Sequence, residues 1–291
     1  MIAYIGVSYY NMVMKKSLYA RLLEPLARLI FPKCKLVTKQ EIPDDEPAVF
    51  LCNHSAAIGP AIMTMYFEIP HKTWSISYAL DKKIGPTFFF HDALFGRSKK
   101  CKWFYKFVAH ITMPLLRPLL WLGNPIAVYH DKRILSTMRA SVDALEKNEK
   151  IVIFPECPTR YTEYINAFYD GFADLGRLYN VKTGKCLKFY PVYVEKKNRI
   201  ISIGEPVVYD PNVPARDQRR IIAEEAAKRV DALARELPAH KPVPFLPQVW
   251  YDYYGEYENN ITEYWRMIEQ TSPYMIRKKK KEERKKEKTH D

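Results

Sequence analysis

The sequence has few of the features that would tie a protein to a metal, a disulfide framework or a membrane span. Its five cysteines are scattered through 291 residues, with no Cys-x-x-Cys pair and no group at the spacing of zinc ligands. This pattern excludes the common zinc motifs and is typical of a reducing compartment. We therefore expect no metal and no tightly bound cofactor.

Long apolar runs and targeting signals are also missing. No apolar stretch reaches the roughly 18 residues that a membrane-spanning helix needs. Residues 1–14 carry no basic start, and no small-residue cleavage site follows them, so the N-terminus does not resemble a secretory signal. The expected location is the cytoplasm or the cytoplasmic face of a membrane, with peripheral or monotopic attachment.

Positive charge, by contrast, is abundant, because 46 lysines and arginines face 33 acidic residues and give a formal net charge of +13. Such an excess indicates an anionic partner: a membrane surface, a nucleic acid or a phosphorylated substrate. Residues 277–288 contain nine of the basic residues and three glutamates, so nearly half of the excess lies in one tail. We expect an anionic membrane rather than a nucleic acid, because basic residues near a charged leaflet contribute about 1 kcal/mol each to binding.

Short apolar runs alternate with helical patterns through the middle of the chain. Predicted strands lie at 48–52, 126–129, 151–154, 189–194 and 200–203, and predicted helices at 61–67, 135–147, 171–179 and 214–237. The run Ile151-Val152-Ile153-Phe154 is apolar throughout, as is typical of a strand buried on both faces of a parallel sheet. The alternation predicts an α/β fold with a mixed, largely parallel sheet flanked by helices.

Composition divides the chain into four segments. Residues 1–42 predict an amphipathic helix at a membrane interface, with packing against the rest of the protein as the alternative, and residues 43–240 predict the α/β domain. Residues 241–275 are an aromatic-rich appendage, and residues 276–291 are a basic tail that we expect to be disordered or a frayed helix. Aromatic residues and two prolines over 102–122 indicate separate interfacial pieces.

His54 is the first candidate for chemistry. It directly follows the predicted strand at 48–52, at an edge of the sheet where α/β proteins bind their ligands. An imidazole is the natural general base for taking a proton from a hydroxyl at neutral pH. A single histidine is more often structural, so the prediction depends on the residues around it and on the motifs that follow.

Several segments, in order, resemble the motifs of the PlsC-like glycerol-phosphate acyltransferases. Asn53-His54-Ser55 through Gly59-Pro60 resembles Asn-His-x4-Asp, and Ile153-Phe154-Pro155-Glu156 with Thr159-Arg160 resembles Phe-Pro-Glu-Gly-Thr-Arg. The later motifs are resembled by Tyr190-Pro191-Val192-Tyr193-Val194, by Ile203-Gly204-Glu205-Pro206-Val207 and by Gly171 at the start of a helix. The resemblance covers about residues 45–235 and implies the fold predicted above.

The resemblance also implies a reaction and a role for each motif. The family transfers a fatty acyl group from acyl-CoA or acyl-carrier protein, as co-substrate, to a hydroxyl, usually of lysophosphatidic acid. His54 would be the general base on that hydroxyl. Arg160 would hold the acceptor's phosphate, since a guanidinium fork fits phosphate oxygens, and Glu156 would orient the acceptor or the phosphate-binding groups. Without the motif, Arg160 is read as an exposed surface arginine.

Two motifs are matched less closely. The family's second motif carries an arginine that contacts phosphate, and here Lys132 or Arg133 would supply the charge, with a solvated turn as the alternative. In the third motif, Cys157-Pro158 replaces a single glycine, so the loop is one residue longer and Arg160 is displaced by one position. A proline does not provide the backbone freedom of that glycine.

The departure with most weight is Gly59, which stands where the family has an aspartate. That carboxylate normally fixes the tautomer of the histidine and stabilises the imidazolium, and losing its equivalent in the serine-protease triad costs about 10⁴ in kcat. By residue type, the candidate replacements are Asp81, Asp92 and Asp131. A further alternative pairs His54 with Cys157 as an acyl-accepting nucleophile, although a lone cysteine is usually a small buried hydrophobe.

Two functions therefore remain open. His54, Glu156 and Arg160 favour an active acyltransferase at a membrane surface, with lysophosphatidic acid or a related acceptor. Gly59 favours a family member that has lost its chemistry and binds lipid or acyl-CoA.

Overall fold

The computed structural model describes residues 31–56, 58–94, 101–243 and 270–287, together with Pro25, Leu29, Phe245 and Ile268. Residues 1–24 and most of 244–269 lie outside this part of the chain. The predicted N-terminal membrane helix and most of the aromatic-rich appendage therefore stay predictions.

A largely parallel sheet forms the centre of the described fold. Its strands are β1 (Lys35–Thr38), β2 (Ala48–Cys52), β3 (His71–Ile76), β4 (Ile126–Val128), β5 (Lys150–Ile153), β8 (Lys188–Glu195), β9 (Ile200–Ile203) and β10 (Val207–Val208). The spatial order is β1-β9-β8-β2-β5-β3-β4, with β10 beside β8. Only the pairs β8–β9 and β8–β10 among these described strands are antiparallel. A separate hairpin pairs β6 (Glu156–Arg160) with β7 (Asn166–Phe168).

Helices connect the strands. In chain order they are α1 (Ile58–Tyr66), α2 (Ser77–Leu80), α3 (Gly85–Phe89), α4 (Lys102–Leu122), α5 (Ile134–Leu145), α6 (Asp174–Thr183), α7 (Ala215–Glu236) and α8 (Pro273–Glu287). A π-helical turn, Phe90–Leu94, continues α3, and a 3₁₀ turn, Gly171–Ala173, precedes α6. The prediction of a mixed, largely parallel α/β fold is confirmed.

Both faces of the sheet are buried, which explains why its central strands are apolar throughout. Successive side chains of a strand point to opposite faces. In β2, Val49 and Leu51 therefore pack with α5, α6 and α7, whereas Phe50 packs with Ile62 and Met63 of α1 on the other side. The two layers hold the carboxyl end of β2 in a fixed position, and His54 follows directly from it.

The sequence-based expectation of separate pieces over 102–122 is wrong, because the segment is one 21-residue helix, α4. Pro114 and Pro118 lie inside it and each removes a backbone hydrogen bond. Packing compensates, since Ala109 and Met113 are buried on one face of the helix. Searched across the described residues, no helix combines the length and apolar character that a membrane span requires.

The structure also differs from the expectations at other elements. Strands β1 and β3 and the β6–β7 hairpin were not predicted, because polar residues interrupt their apolar pattern. Of the two states expected for the basic tail, disordered or a frayed helix, the described part over 276–287 is helical and belongs to α8.

Candidate active site

His54 lies in a loop at the carboxyl end of β2, and the side chain of Asn53 fastens that loop to the neighbouring strand. The Asn53 amide donates hydrogen bonds to Ser55 Oγ at 2.7 Å and to the Val194 carbonyl at 3.1 Å. Its oxygen accepts one from the Val194 N–H at 2.7 Å. Because Val194 belongs to β8, this amide fixes the His54 loop relative to two adjacent strands.

Glu156 also holds the His54 loop in place. Its carboxylate is buried and accepts hydrogen bonds from the backbone N–H groups of His54, Ser55 and Asn166, the last at 2.9 Å. Burial raises the pKa of Glu156 to about 7, and the three N–H donors oppose that rise. The structure therefore uses Glu156 to position the histidine loop on the β6–β7 hairpin. Its predicted contact with the acceptor or with phosphate-binding groups stays a prediction.

The imidazole of His54 is enclosed by aromatic rings. The ring centre of Phe154 lies 5.5 Å from it and that of Phe245 lies 4.9 Å from it, both edge-on. Burial lowers the pKa of His54 to about 4, although a hydrogen bond with the Ala56 carbonyl partly opposes this. At neutral pH the imidazole is therefore uncharged, as a general base must be.

The contact with Ala56 also sets the tautomer. Nδ1 of His54 meets the carbonyl oxygen of Ala56, and a carbonyl only accepts hydrogen bonds. The proton of the neutral ring is therefore assigned to Nδ1, which leaves the lone pair of Nε2 free to take a proton from a substrate. A carbonyl thus fixes the orientation that a carboxylate fixes in the family motif, but it brings no negative charge to stabilise the imidazolium.

Gly59 explains why no carboxylate occupies the motif position. Its N–H donates to the His54 carbonyl at 3.0 Å. A Cβ on this residue would lie 2.4 Å from the Asn53 carbonyl oxygen and 2.8 Å from that of His54, which is closer than real Cβ atoms approach. Ser55 and Ala56 have positive φ values of 45° and 53°, so the loop is wound tightly enough to exclude any side chain at 59.

Arg160 and Cys157 lie on β6 and do not share a described contact with the His54 ring. The Arg160 side chain is exposed, and its Nε donates to the Thr162 carbonyl at 3.1 Å. The pairing of β6 with β7 shifts register between Glu156 and Arg160, which accommodates the extra residue of the motif. Burial raises the pKa of the Cys157 thiol, so the thiolate that a nucleophile requires is disfavoured.

The remaining sequence candidates are engaged locally. Asp131 forms a two-point ion pair with Arg133, whose guanidinium also lies 4.4 Å from the Tyr129 ring centre, and Lys132 is exposed in the same turn. Asp81 accepts the backbone N–H groups of Lys83 and Ile84. The side chain of Asp92 lies outside the described residues. Across the described part of the chain, no three metal-ligating side chains cluster.

Sequence reasoning missed the contribution of the β8–β9 turn. A cleft of about 400 Å³ lies beside the His54 loop, and four cations line it: Lys196, Lys197, Arg199 and Lys241. The signal was present in the charge-dense run Glu195-Lys196-Lys197-Asn198-Arg199, which directly follows a buried strand. Lys241 is remote in sequence, so only the fold brings it to the same cleft.

A family model described as acyltransferase matches residues 33–194, which is more than half of the chain and includes His54 and Glu156. The chain belongs to the acyltransferase family. This confirms the resemblance seen in the sequence, and acyl transfer is the activity that family membership assigns to the protein. The matched region ends at the last residues of β8.

Among solved structures, the chain is similar to the 1-acyl-sn-glycerophosphate (LPA) acyltransferase PlsC from Thermotoga maritima. The two share 13% sequence identity with a TM-score of 0.43, and the alignment covers 82% of this chain and 95% of that one. The search of curated proteins finds no match.

Proposed function

We propose that this acyltransferase moves a fatty acyl group from acyl-CoA or acyl-carrier protein to a hydroxyl of a lysophospholipid or a related acceptor, as a step of phospholipid biosynthesis. The observation that carries the proposal is the state of His54: uncharged, with Nδ1 bonded to the Ala56 carbonyl and Nε2 free. Its loop is held by Asn53 and Glu156 at the carboxyl edge of the sheet.

The steps follow from this geometry. Nε2 of His54 takes the proton of the acceptor hydroxyl, and the oxygen attacks the carbonyl carbon of the acyl thioester. The C–S bond then breaks, and the departing thiolate takes the proton from the imidazolium. The new ester bond forms without any net gain or loss of protons. His54 therefore acts as the base in the first step and as the acid in the last step.

The missing carboxylate affects the stage of the reaction at which His54 carries the proton as an imidazolium. The imidazolium that forms lies in a buried site beside a carbonyl rather than an anion. We therefore expect turnover to be slow relative to a centre with the aspartate, for which the protease triad gives a loss of about 10⁴ as an upper guide. If this loss abolishes turnover, the protein is the lipid- or acyl-CoA-binding module of the alternative hypothesis.

Attachment to a membrane surface is supported by two helices. Apolar side chains are exposed along α4: Trp103, Phe104, Phe107, Ile111, Leu115 and Trp121. The helix α8 carries a run of basic residues, and its start adjoins the turn before α3, where Lys83 Nζ lies 4.5 Å from the Tyr274 ring centre. Because α3 also packs against α4, an apolar and a basic helix are available on one part of the molecule. The partner we propose is an anionic membrane.

The decisive experiment is acyl transfer by the purified protein from labelled acyl-CoA and acyl-carrier protein to a panel of lysophospholipids and other alcohols. His54→Ala is the test variant and His110→Ala, an exposed histidine, is the matched control. Turnover that is lost in the first and kept in the second supports His54 as the base. If no acceptor is acylated while acyl-CoA or lipid still binds, the binding module is the correct function.

A further inference from the structure

The cleft beside the His54 loop is built from two separate parts of the chain. The basic turn between β8 and β9 provides Lys196, Lys197 and Arg199 from one side. The segment that follows α7 provides Lys241 from the other. We call these four residues the basic cleft.

The basic cleft has an excess of positive charge, because only one carboxylate of the described chain, that of Glu195, lines it beside the four cations. Among the ion pairs formed by described residues, none includes Lys196, Lys197, Arg199 or Lys241. The carboxylate nearest in sequence, Glu195, is buried and turned into the β-turn, where it accepts the N–H groups of Lys197 and Asn198. Four cations that line one cleft against a single carboxylate indicate a site for an anion.

The turn that carries three of these cations is held firmly. The Arg199 N–H donates to the Lys196 carbonyl at 3.3 Å, and the Arg199 carbonyl accepts from the Lys35 N–H at 2.7 Å. The Asn198 side chain donates to the Pro238 carbonyl at 3.3 Å. Because the backbone is fixed on both sides, little backbone conformational freedom is lost when an anion binds.

The basic cleft adjoins the His54 loop. Ile58 lines the cleft, and its N–H donates to the Ser55 carbonyl at 3.0 Å. Val243 also lines it and lies two residues before Phe245, whose ring covers His54. The cleft therefore adjoins the two segments that flank His54, the start of α1 and the chain before Phe245.

We propose that the basic cleft binds the phosphate of a substrate of this acyltransferase, in place of the Arg160 position of the family motif. The proposal deepens the proposed function and rests on it for the identity of the substrates. The phosphate belongs either to the lipid acceptor or to acyl-CoA, since both present phosphate oxygens that a guanidinium and ammonium groups recognise. Arg160 is bonded to its own hairpin, and Arg133 is paired with Asp131.

The test compares two triple variants that remove the same charges. The first, Lys197→Gln/Arg199→Gln/Lys241→Gln, removes cations of the cleft. The matched control, Lys147→Gln/Lys185→Gln/Arg139→Gln, removes two lysines and an arginine that are exposed elsewhere on the fold. Binding is measured with lysophosphatidic acid against monoacylglycerol, and with coenzyme A against pantetheine, so that each phosphate probe has a phosphate-free counterpart.

We expect the unmodified protein and the control to bind at least one phosphate probe more tightly than its counterpart, and the cleft variant to lose about tenfold or more of that affinity. The probe that loses affinity identifies the source of the phosphate. A cleft variant that binds both phosphate probes as the control does overturns the proposal. So does an unmodified protein that binds each probe and its counterpart equally.

Two additions keep the result interpretable. The charge-conserving variant Lys197→Arg/Arg199→Lys/Lys241→Arg should retain binding, which separates the loss of charge from damage to the turn. If the triple variant unfolds, Lys197→Gln alone takes its place, because that side chain is exposed.

Phosphate recognition that is lost in the cleft variant, in a protein that acylates nothing, supports the cleft and refutes the proposed function. If the cleft variant instead turns over substrate with an unchanged KM, the proposed function is supported and the phosphate site in the cleft is refuted.

Discussion

At the scale of single residues, Gly59 decides how the histidine is oriented. The loop winds so tightly after His54 that the carbonyl of Ala56 reaches Nδ1 and no side chain fits at 59. The sequence alone suggests a lost carboxylate that another aspartate replaces. The structure instead provides the backbone carbonyl of Ala56. No comparison of residue types would have identified it, because every residue has a backbone carbonyl.

We predict that restoring the family's aspartate does not restore a better base. Gly59→Asp and Gly59→Ala should both destabilise the protein, by about 1–3 kcal/mol for the alanine, because a Cβ at 59 must displace the backbone of Asn53 or His54. Thermal unfolding measures this loss. Gly171→Ala is the control, since nothing lies within 4 Å of the position its Cβ would take. A Gly59→Asp protein that is as stable as the unmodified one and turns over faster contradicts this account of the loop.

At the scale of elements, the β6–β7 hairpin supports the His54 loop through one carboxylate. Glu156 belongs to β6, and it receives N–H groups from the loop after β2 and from Asn166 of β7. The motif could be recognised in the sequence, but not this use of its glutamate. Neither strand has an apolar pattern, so the hairpin itself was not predictable from the sequence.

Glu156→Gln should therefore damage the site without touching substrate. An amide replaces one acceptor oxygen with a donor that faces a backbone N–H, and a buried donor without a partner costs about 1–3 kcal/mol. We expect a lower unfolding temperature and a reduced kcat together. Glu163→Gln changes an exposed residue of the same hairpin, and its ion pair with Arg235 contributes little. Equal stability of the two variants would show that Glu156 does not hold the loop.

The proposed attachment to a membrane depends most on the helix α4. The protein should bind vesicles that contain anionic lipid and release from them with salt, and Trp103→Ser/Phe107→Ser should weaken that binding because it removes exposed apolar side chains. Leu135→Ser/Val181→Ser, which changes two exposed apolar residues of other helices, is the control. Binding to neutral vesicles at high salt that equals binding to anionic ones would contradict the electrostatic part of the prediction.

At the scale of the whole molecule, buried histidines make stability sensitive to acid. Desolvation lowers the pKa of His54, His91 and His130 to about 4. It also lowers the pKa of His71. The unfolded chain binds protons at these sites near the ordinary value of 6.5, so the stability they provide is complete above 6.5 and is lost as the pH falls toward 4. Glu156 has the opposite sign, because its raised pKa removes stability as the pH rises from 4.5 to about 7.

Four histidines outweigh one glutamate, so the free energy of unfolding should fall as the pH is lowered from 6.5, by about 1.4 kcal/mol per pH unit for each uncompensated buried group. His130 contributes less than this, because it is exposed and solvent screens its charge. Denaturant titrations at a series of pH values in this range measure the slope. His54→Gln, which does not titrate, should have a shallower slope than His110→Gln. A protein that becomes more stable on acidification would show that the buried histidines do not control the response.

The fold as a whole was largely predictable, since β2, β5 and β8 are apolar runs buried on both faces. The surroundings of the site were not, because they depend on contacts between distant segments. The basic cleft combines residues 196–199 with Lys241, and the aromatic cover of His54 combines Phe154 with Phe245. Sequence periodicity reports how a segment is buried, not which segment covers it.

By covering His54, the ring of Phe245 influences the proposed reaction, although Phe245 is far from His54 in the sequence. The ring lies beyond the region that defines the family, yet it helps to keep water from the imidazole and so helps to set how readily the base accepts a proton. Proton affinity at His54 is therefore partly encoded in the last quarter of the chain. Evolution can retune this proposed base by changing the segment after α7, without any change in the sequence of the histidine motif.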